Sequence, residues 1–452
     1  MKGKFVVTLL LGLSYLGGYA DANVKIEGSS LKVIEISPEA STGLNNLFVV
    51  YNTEGCRFTF NSSKSSELKA FKFSNLGGAY SQEVSNAELT TSSISFPLTK
   101  EDLGYIIEES DRRYYYWVVN YNNHPMFLDG VRPSDEPECN YSVLNIDGSA
   151  PAIQYYTITG QQKILSREIF VDYTTQIFNG DLPSYEIAEE RKVYESLSSR
   201  LSIAPPAYCS TYFTISGDRF LREWGRVLSA ETGMVYPVAV ECVTDAEQLY
   251  ESGDEGSNIM KGDDSGLGGS APANITFLAY TTEGVVHHEW QLSRSQEFEN
   301  PEYRFYEQNL DYTFTETGTW YLRYIGSNAD GTCETFGDVY TVSIGASALE
   351  CPNAFSPNGD GVNDIWKVSY RSLIDFHCEI FNRNGQLVYS FDDPSVGWDG
   401  TWHGKTVKPG VYYYVIMATG SDGQNYKKSG DINIINARSM SPGYQDPSIP
   451  DF

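Results

Sequence analysis

Apolar and polar positions alternate in short runs along this chain, and turn residues interrupt them at close intervals. In the last hundred residues the runs Cys378–Asn382, Gln386–Phe391, Val411–Ala418 and Asp431–Ile435 are separated by Asn384-Gly385, Asp399-Gly400, Pro409-Gly410 and Asp422-Gly423. Asn-Gly and Asp-Gly adopt positive φ at low cost, so they mark hairpin turns between strands. Further upstream, Leu47–Tyr51, Arg57–Phe60, Ile275–Tyr280, His288–Leu292, Thr319–Ile325 and Val339–Ile344 have the same character, with Leu31–Ile36 a weaker case. Arg113–Tyr121 is bulky on both faces, which places it in the middle of a sheet. Helical periodicity is sustained nowhere, and Glu186–Leu197 is the best candidate for a short helix. The pattern predicts an all-β protein of tandem immunoglobulin-like β-sandwich domains, the last of the seven-stranded type.

A chain of 452 residues is too long for one such domain. Composition shifts divide it into a first β-rich immunoglobulin-like domain over 23–147 and a second β-rich region over 148–250. The second region opens at the linker-like Gly148–Ala152 and contains Gln154–Thr159, Ile164–Tyr173 and Tyr236–Val243 as strands. An acidic Gly/Ser-rich loop or linker follows over 251–272, then a third β-domain over 273–347, a C-terminal domain over 349–436, and a Pro/Ser/Asp-rich disordered tail over 437–452. Whether 23–250 makes one domain or two stays open at this level.

The C-terminal domain carries four ordered motifs. The first runs Pro352-Asn353-Ala354-Phe355-Ser356-Pro357-Asn358-Gly359-Asp360-Gly361-Val362-Asn363-Asp364. The others are Ile380-Phe381-Asn382-Arg383 with Gly385, Gly397-Trp398-Asp399-Gly400, and Lys408-Pro409-Gly410-Val411-Tyr412. Over about Cys351–Ile435 this resembles the gliding-motility-associated C-terminal domain, the type B sorting signal of the Bacteroidota type IX secretion system. Asn384 stands where that family carries Trp. The resemblance implies a partner, the type IX machinery, and a final location on the outer-membrane surface or outside the cell. The segment Tyr312–Tyr324 resembles the end of a PKD-like immunoglobulin domain, with a strand, a Gly turn and an aromatic strand in that order.

Charge narrows the partners. A formal net charge of −27 argues against nucleic acid and against docking on anionic lipid. At the N-terminus, Lys2 and Lys4 precede the apolar run Phe5–Leu16, and Gly18-Tyr19-Ala20 and Ala20-Asp21-Ala22 offer small residues for cleavage. Residues 1–22 therefore read as a signal peptide. The run is too short to span a bilayer, and no integral membrane segment is expected in the mature chain. Export permits disulfides. Among seven cysteines one is left over, and Cys378, inside a strand, is the candidate thiol. Chain proximity favours Cys209 with Cys242, then Cys56 with Cys139 and Cys333 with Cys351, although sequence alone leaves the connectivity open.

Candidate chemistry is sparse. His287-His288-Glu289 lacks the helical i, i+4 spacing of a zinc site and borders a strand, so it reads as surface. There is no G-x-S-x-G elbow and no P-loop. Asn358, Asp360, Asn363 and Asp364 place four oxygen-bearing side chains beside Gly359 and Gly361, which is either a calcium loop or a turn capped by its own side chains. No other cofactor is expected. Trp398 and Trp402 are expected in the core, one of them plugging the end of the sandwich. The sequence thus predicts a non-enzymatic exported protein with immunoglobulin-like modules for adhesion or display, its ligand an unknown extracellular protein or glycan. The alternatives are a structural component of the envelope, secretion or gliding apparatus, and a glycan-binding protein.

Overall fold

The computed structural model describes residues 23–62, 67–248, 258–260 and 266–435. The expected signal peptide, the tail over 437–452 and most of the acidic loop lie outside these residues. The chain forms two compact units, one of Met1–Gln176 with Ile187–Ala239 and the other of Ile177–Glu186 with Val240–Phe452. Both are built from β-sheets, as the alternating pattern predicts.

The first unit begins with a sandwich. Val24–Glu27, Arg57–Asn61, Ser93–Pro97 and Glu88–Leu89 form one sheet in that order. Ile34–Ile36, Asn46–Val50, Arg112–Asn120, Leu103–Glu109, Leu68–Phe73 and Gln82–Glu83 form the other. The aromatic run sits third in this six-stranded sheet, as expected, and both its faces are covered. Tyr116 and Val118 pack with Phe48, Phe58, Phe60 and Phe96 inside the sandwich. Trp117 and Val119 face the other way, into a second cluster with Leu47, Val49, Ile153, Ile169, Val171 and Phe213. Period-2 geometry makes this double use unavoidable once both faces of a strand are apolar.

That second cluster is the core of a further β-sandwich. Phe127–Pro133, Ser142–Ser149 and Arg200–Ile203 make one sheet, and Ser184–Tyr194, Ile169–Asn179, Thr214–Gly217 and Leu228–Glu231 make another. The boundary expected at 147–148 falls inside a strand, where Gly148 pairs with Leu128 and Asp147 with Gly130. Gly148–Ala152 is therefore not a linker. The helix expected over Glu186–Leu197 is a strand, Ser184–Tyr194. Its Glu, Lys and Arg residues favour helix locally, but pairing to the neighbouring strand and the Arg191–Asp172 ion pair override that weak preference. Residues 236–241, expected as a strand, are loop, and Pro237 within them has no N–H to give a ladder.

A buried ion pair joins the two sandwiches of this unit. Arg167 and Asp218 are both fully buried, with Nη2 to Oδ2 at 2.7 Å. Arg167 Nε also donates to Asp218, Nη1 to the Pro151 carbonyl and Nη2 to the His124 carbonyl, each at 2.8 Å. Tyr121 donates its hydroxyl to Asp218 at 3.0 Å and accepts from Arg167 at 3.1 Å. Burial, then the Asp218 charge, pushes the Tyr121 hydroxyl well above its ordinary value. Asp218 Oδ1 accepts from Leu221 N at 2.9 Å, capping the short helix Arg219–Glu223. Around this group, Trp224 meets Tyr121 and Tyr51 edge-on at 5.0 and 5.2 Å, and its Nε1 donates to the Lys32 carbonyl.

The second unit contains two more sandwiches. In one, Cys242–Gln248, Ala273–Thr281 and Leu310–Phe314 face a sheet of Leu267–Gly269, Tyr340–Ile344, Gly318–Ser327, His287–Ser293 and Tyr303–Phe305. Phe277, Trp290, Leu322, Tyr324 and Val342 fill its core. In the other, Ala354–Phe355, Asn425–Ile434, Gly410–Gly420, Leu373–Phe381 and Leu387–Phe391 form a five-stranded sheet. Buried Ser372 connects them. Its N–H donates to Ser270 Oγ at 2.7 Å, and its hydroxyl donates to the Gly345 carbonyl at 2.7 Å and accepts from Ala271 N at 3.1 Å. Parts of the expected linker are thus structured: Ile259 bridges Tyr370, and Leu267–Gly269 runs parallel to Val342–Ile344.

The three expected disulfides are not formed. Cys56, Cys209, Cys242, Cys351 and Cys378 carry thiols. Proximity in sequence misleads here because the fold sets Cys56, Cys209 and Cys242 against other partners. Cys56 bonds the Asn52 carbonyl, Cys209 faces the Thr174 hydroxyl, and Cys242 faces the Thr335 hydroxyl. Cys351 and Cys378 pack in the core of the C-terminal sandwich.

Replacing Arg167 by Ala leaves the Asp218 carboxylate and the Tyr121 hydroxyl buried against a lost partner. Urea unfolding of the Arg167→Ala variant should show a loss of about 3–5 kcal/mol. The double variant Arg167→Met, Asp218→Asn keeps a helix cap and removes the stranded charge, so it should lose less than the single one.

Candidate functional site

Several motif residues of the C-terminal domain pack around two tryptophans, Trp366 and Trp398. Trp366 and Trp398 exchange backbone hydrogen bonds in both directions, at 2.8 and 2.9 Å. Both rings are fully buried. Trp366 lies tilted against Tyr414 at 5.2 Å and donates Nε1 to the Pro352 carbonyl at 2.7 Å. Trp398 packs 5.5 Å from Phe355 and edge-on to Tyr412 at 5.3 Å, and its Nε1 bonds the Thr401 carbonyl at 2.9 Å. Trp402 is only half-buried beside this core, so Trp398 is the plug.

The glycines of the third motif are there for space. A Cβ on Gly397 would lie 2.6 Å from the Trp366 carbonyl oxygen, and one on Gly400 would lie 2.9 Å from Pro357 Cγ. Both have positive φ, +81° and +74°. Asp399 closes the turn by accepting from the Thr401 N–H and hydroxyl, at 2.9 and 2.7 Å. Asn353 offers its carbonyl to the Asn433 N–H at 2.8 Å, which seats the first strand beside the last one. Pro409 and Gly410 lead into the long strand that carries Tyr412. The motif Phe381-Asn382-Arg383 with Gly385 has a separate task. Asn382 Oδ1 accepts from the Asn384 and Gln386 N–H groups at 3.0 and 3.1 Å, and Gly385 has φ +77°, closing the hairpin after Phe381.

The loop Asn358–Asp364 is held by its own backbone. Asp364 accepts from the N–H groups of Gly359, Gly361 and Asn358 at 2.7, 2.7 and 2.9 Å. Those bonds, Gly359's first, hold its carboxyl below the ordinary value of 3.8. Asn358 Oδ1 takes the Asp360 N–H, Asp360 takes the Val362 N–H, and Asn358 Nδ2 donates to Asp360. Asn363 has φ +52° and gives its carbonyl to Ser356 N. A calcium ion on this loop would compete with three N–H groups for Asp364. Among the described residues no group of three or more His, Cys, Asp or Glu is placed to hold a metal.

Elsewhere, His287 and His288 leave their strand on opposite faces. His287 reaches the Ala329 carbonyl and His288 the Tyr324 hydroxyl, while Glu289 pairs with Arg304. Burial drives the His288 imidazolium toward its neutral form. Burial likewise raises the thiols of Cys351 and Cys378, the reverse of what a nucleophile needs. Trp366 is the residue the motif reading passed over. Its signal is present in the alternation Trp366, Val368, Tyr370, all three buried, against Ile365, Lys367, Ser369.

Residues 349–434 match the CHU_C type IX secretion signal domain family, and residues 131–232 match the fibronectin type III domain family. The C-terminal sandwich is thus a type IX sorting domain, and fibronectin- or immunoglobulin-like sandwiches precede it. Both matched families are non-catalytic. No curated relative matches the chain. Among solved structures, a tetra-tandem repeat from the extending region of a large adhesion protein aligns at 8% identity and TM-score 0.21, covering 85% of this chain and 96% of that one. A Ca2+-stabilized adhesin with which an Antarctic bacterium binds ice aligns at 10% and 0.19, covering 90% and 99%. The fibronectin(III)-like modules of Clostridium thermocellum CbhA align at 14% and 0.18, covering 41% and 98%. At these values the likenesses carry no functional argument.

Asp364 gives the loop a defined acid response. A carboxyl depressed on folding contributes stability that is complete above its unfolded value and is lost as pH falls through the folded one. The melting transition of the C-terminal sandwich should therefore weaken below about pH 4, and less so in Asp364→Ala, which starts lower. An equal acid response in that variant would contradict the assignment. The same melts with and without a chelator test the calcium reading, and an unmoved midpoint counts against a structural ion.

Proposed function

We propose that this chain is a non-enzymatic adhesin or display protein, carried through the outer membrane by type IX secretion and presented on the cell surface or released. The observation that carries the reading is the match of residues 349–434 to the type IX secretion signal family, on a sandwich whose buried Trp366–Trp398 pair seats the motif residues. The peptide over 1–22 takes the chain across the inner membrane, and the folded C-terminal sandwich is then recognised by the export machinery. The surface around the Asn358–Asp364 loop and Gly397–Gly400 takes part in that recognition. The upstream sandwiches are the contact modules. They suit the task because β-sandwiches hold loops rigidly at their ends. A charge of −27 keeps such a protein soluble and off anionic surfaces.

Expression in a type IX-competent Bacteroidota host and in the same host lacking the outer-membrane translocon tests the route. Surface labelling should find the chain only in the competent host, with periplasmic accumulation in the other. Equal labelling in both would rule out type IX export. Attachment of competent cells should then fall when the chain is deleted and return when it is restored.

A further inference from the structure

The fibronectin-like sandwich of the first unit carries a cleft that the sorting and packing functions do not use. One part has a volume of about 410 Å³ and lies between the loop after Pro133 and the loop Met234–Ala239. The other has a volume of about 700 Å³ and lies against the strands holding Asp172, Glu189 and Thr214. Met234 lines both, so the two parts adjoin. Each is of the size that holds a small ligand.

The lining is aromatic and acidic. Tyr141, Tyr212 and Tyr236 are large side chains left 47%, 48% and 73% exposed, and all three line the cleft. A Tyr ring held in the open offers an apolar face and a polar edge at little entropic cost. Pro133, Pro137, Pro206 and Pro237 stiffen the walls of the smaller part. Carboxylates share this lining with the rings: Asp135 and Glu138 in one part, and in the other Glu189 and Glu190, the latter paired with Lys192 at 3.1 Å. Among the described residues, the one cation lining the cleft is Arg191, and it is spent. Arg191 makes two hydrogen bonds to Asp172, at 2.6 and 3.1 Å, and its guanidinium lies 4.6 Å over the Phe170 ring.

We infer that this cleft binds a neutral polysaccharide chain. A pyranose ring has a C–H face that stacks on tyrosine and hydroxyls that donate to carboxylates, so a cleft lined by exposed Tyr rings and carboxylates suits a run of sugars. Charge-assisted acceptors make the stronger hydrogen bonds. Uronic or sulfated glycans are disfavoured, because the carboxylates repel them and Arg191 is already paired. This names a ligand class for the adhesive reading and rests on it only for the setting in which the glycan is met.

Native affinity electrophoresis of the full mature chain tests it, in gels containing hydroxyethylcellulose, xyloglucan, galactomannan or alginate. At least one neutral polymer should retard the chain and alginate should not. The double variant Tyr141→Ala, Tyr236→Ala should bind about tenfold more weakly with an unchanged melting temperature, since both side chains are exposed. If that variant melts early, Tyr212→Ala replaces it with the same expectation. Absence of retardation by every neutral polymer, equal retardation by alginate, or parental binding by the variants would each overturn the inference. None of these results touches export, which surface labelling reports separately.

Discussion

The first unit depends on a fully buried ion pair that does not stand alone. Two charges taken out of water cost several kcal/mol each unless every remaining hydrogen-bonding position is met. Here the Arg167 guanidinium reaches a carboxylate, a phenol and two carbonyls, while the Asp218 carboxylate takes a phenol, a guanidinium and a helix N–H. The partners come from both sandwiches, Tyr121 and His124 from the first and Arg167 and Asp218 from the second. Sliding one sandwich over the other would break several of these bonds together. The apolar cluster that runs from Leu47 and Trp117 to Phe213 and Phe220 supplies the burial, and the polar group fixes the register. A cleft built on loops of the second sandwich thereby rests on a rigid base.

The C-terminal sandwich answers the same need differently. Its centre holds two indoles whose N–H groups both find carbonyls, so large apolar area is buried without a stranded donor. The neighbouring turns are shaped to admit them, with glycines where a Cβ would meet backbone or Pro357. The motif is largely a description of this packing. An export system that selects folded sandwiches of this kind would read the surface that such packing produces.

Much of this was legible in the sequence because period-2 alternation and turn chemistry are local. The hairpin turn at Asn384-Gly385, the interior position of Arg113–Tyr121 and the burial of Trp398 follow from a few adjacent residues each. The misread parts depend on distant ones. Glu186–Leu197 has helix-forming residues and is a strand because Arg191 and its neighbours meet the strand of Asp172. Gly148–Ala152 looks like a linker and closes a strand because Gly148 has Leu128 as its cross-strand partner. The Arg167–Asp218 pair, 51 residues apart, has no sequence signature, and the sulfurs of Cys209 and Cys242 gave only proximity. The cleft lined by Tyr141, Tyr212 and Tyr236 gathers residues from five segments and could not be seen before the fold.

The central claim is that the last sandwich directs the chain outward, and protease accessibility on intact cells tests it most directly. The full chain is compared with one truncated after Ala348, which removes the sorting domain and leaves the upstream sandwiches. The full chain should be cleaved or released by external protease while the truncated chain stays protected in the periplasm. Protection of both chains, or exposure of both, would contradict it.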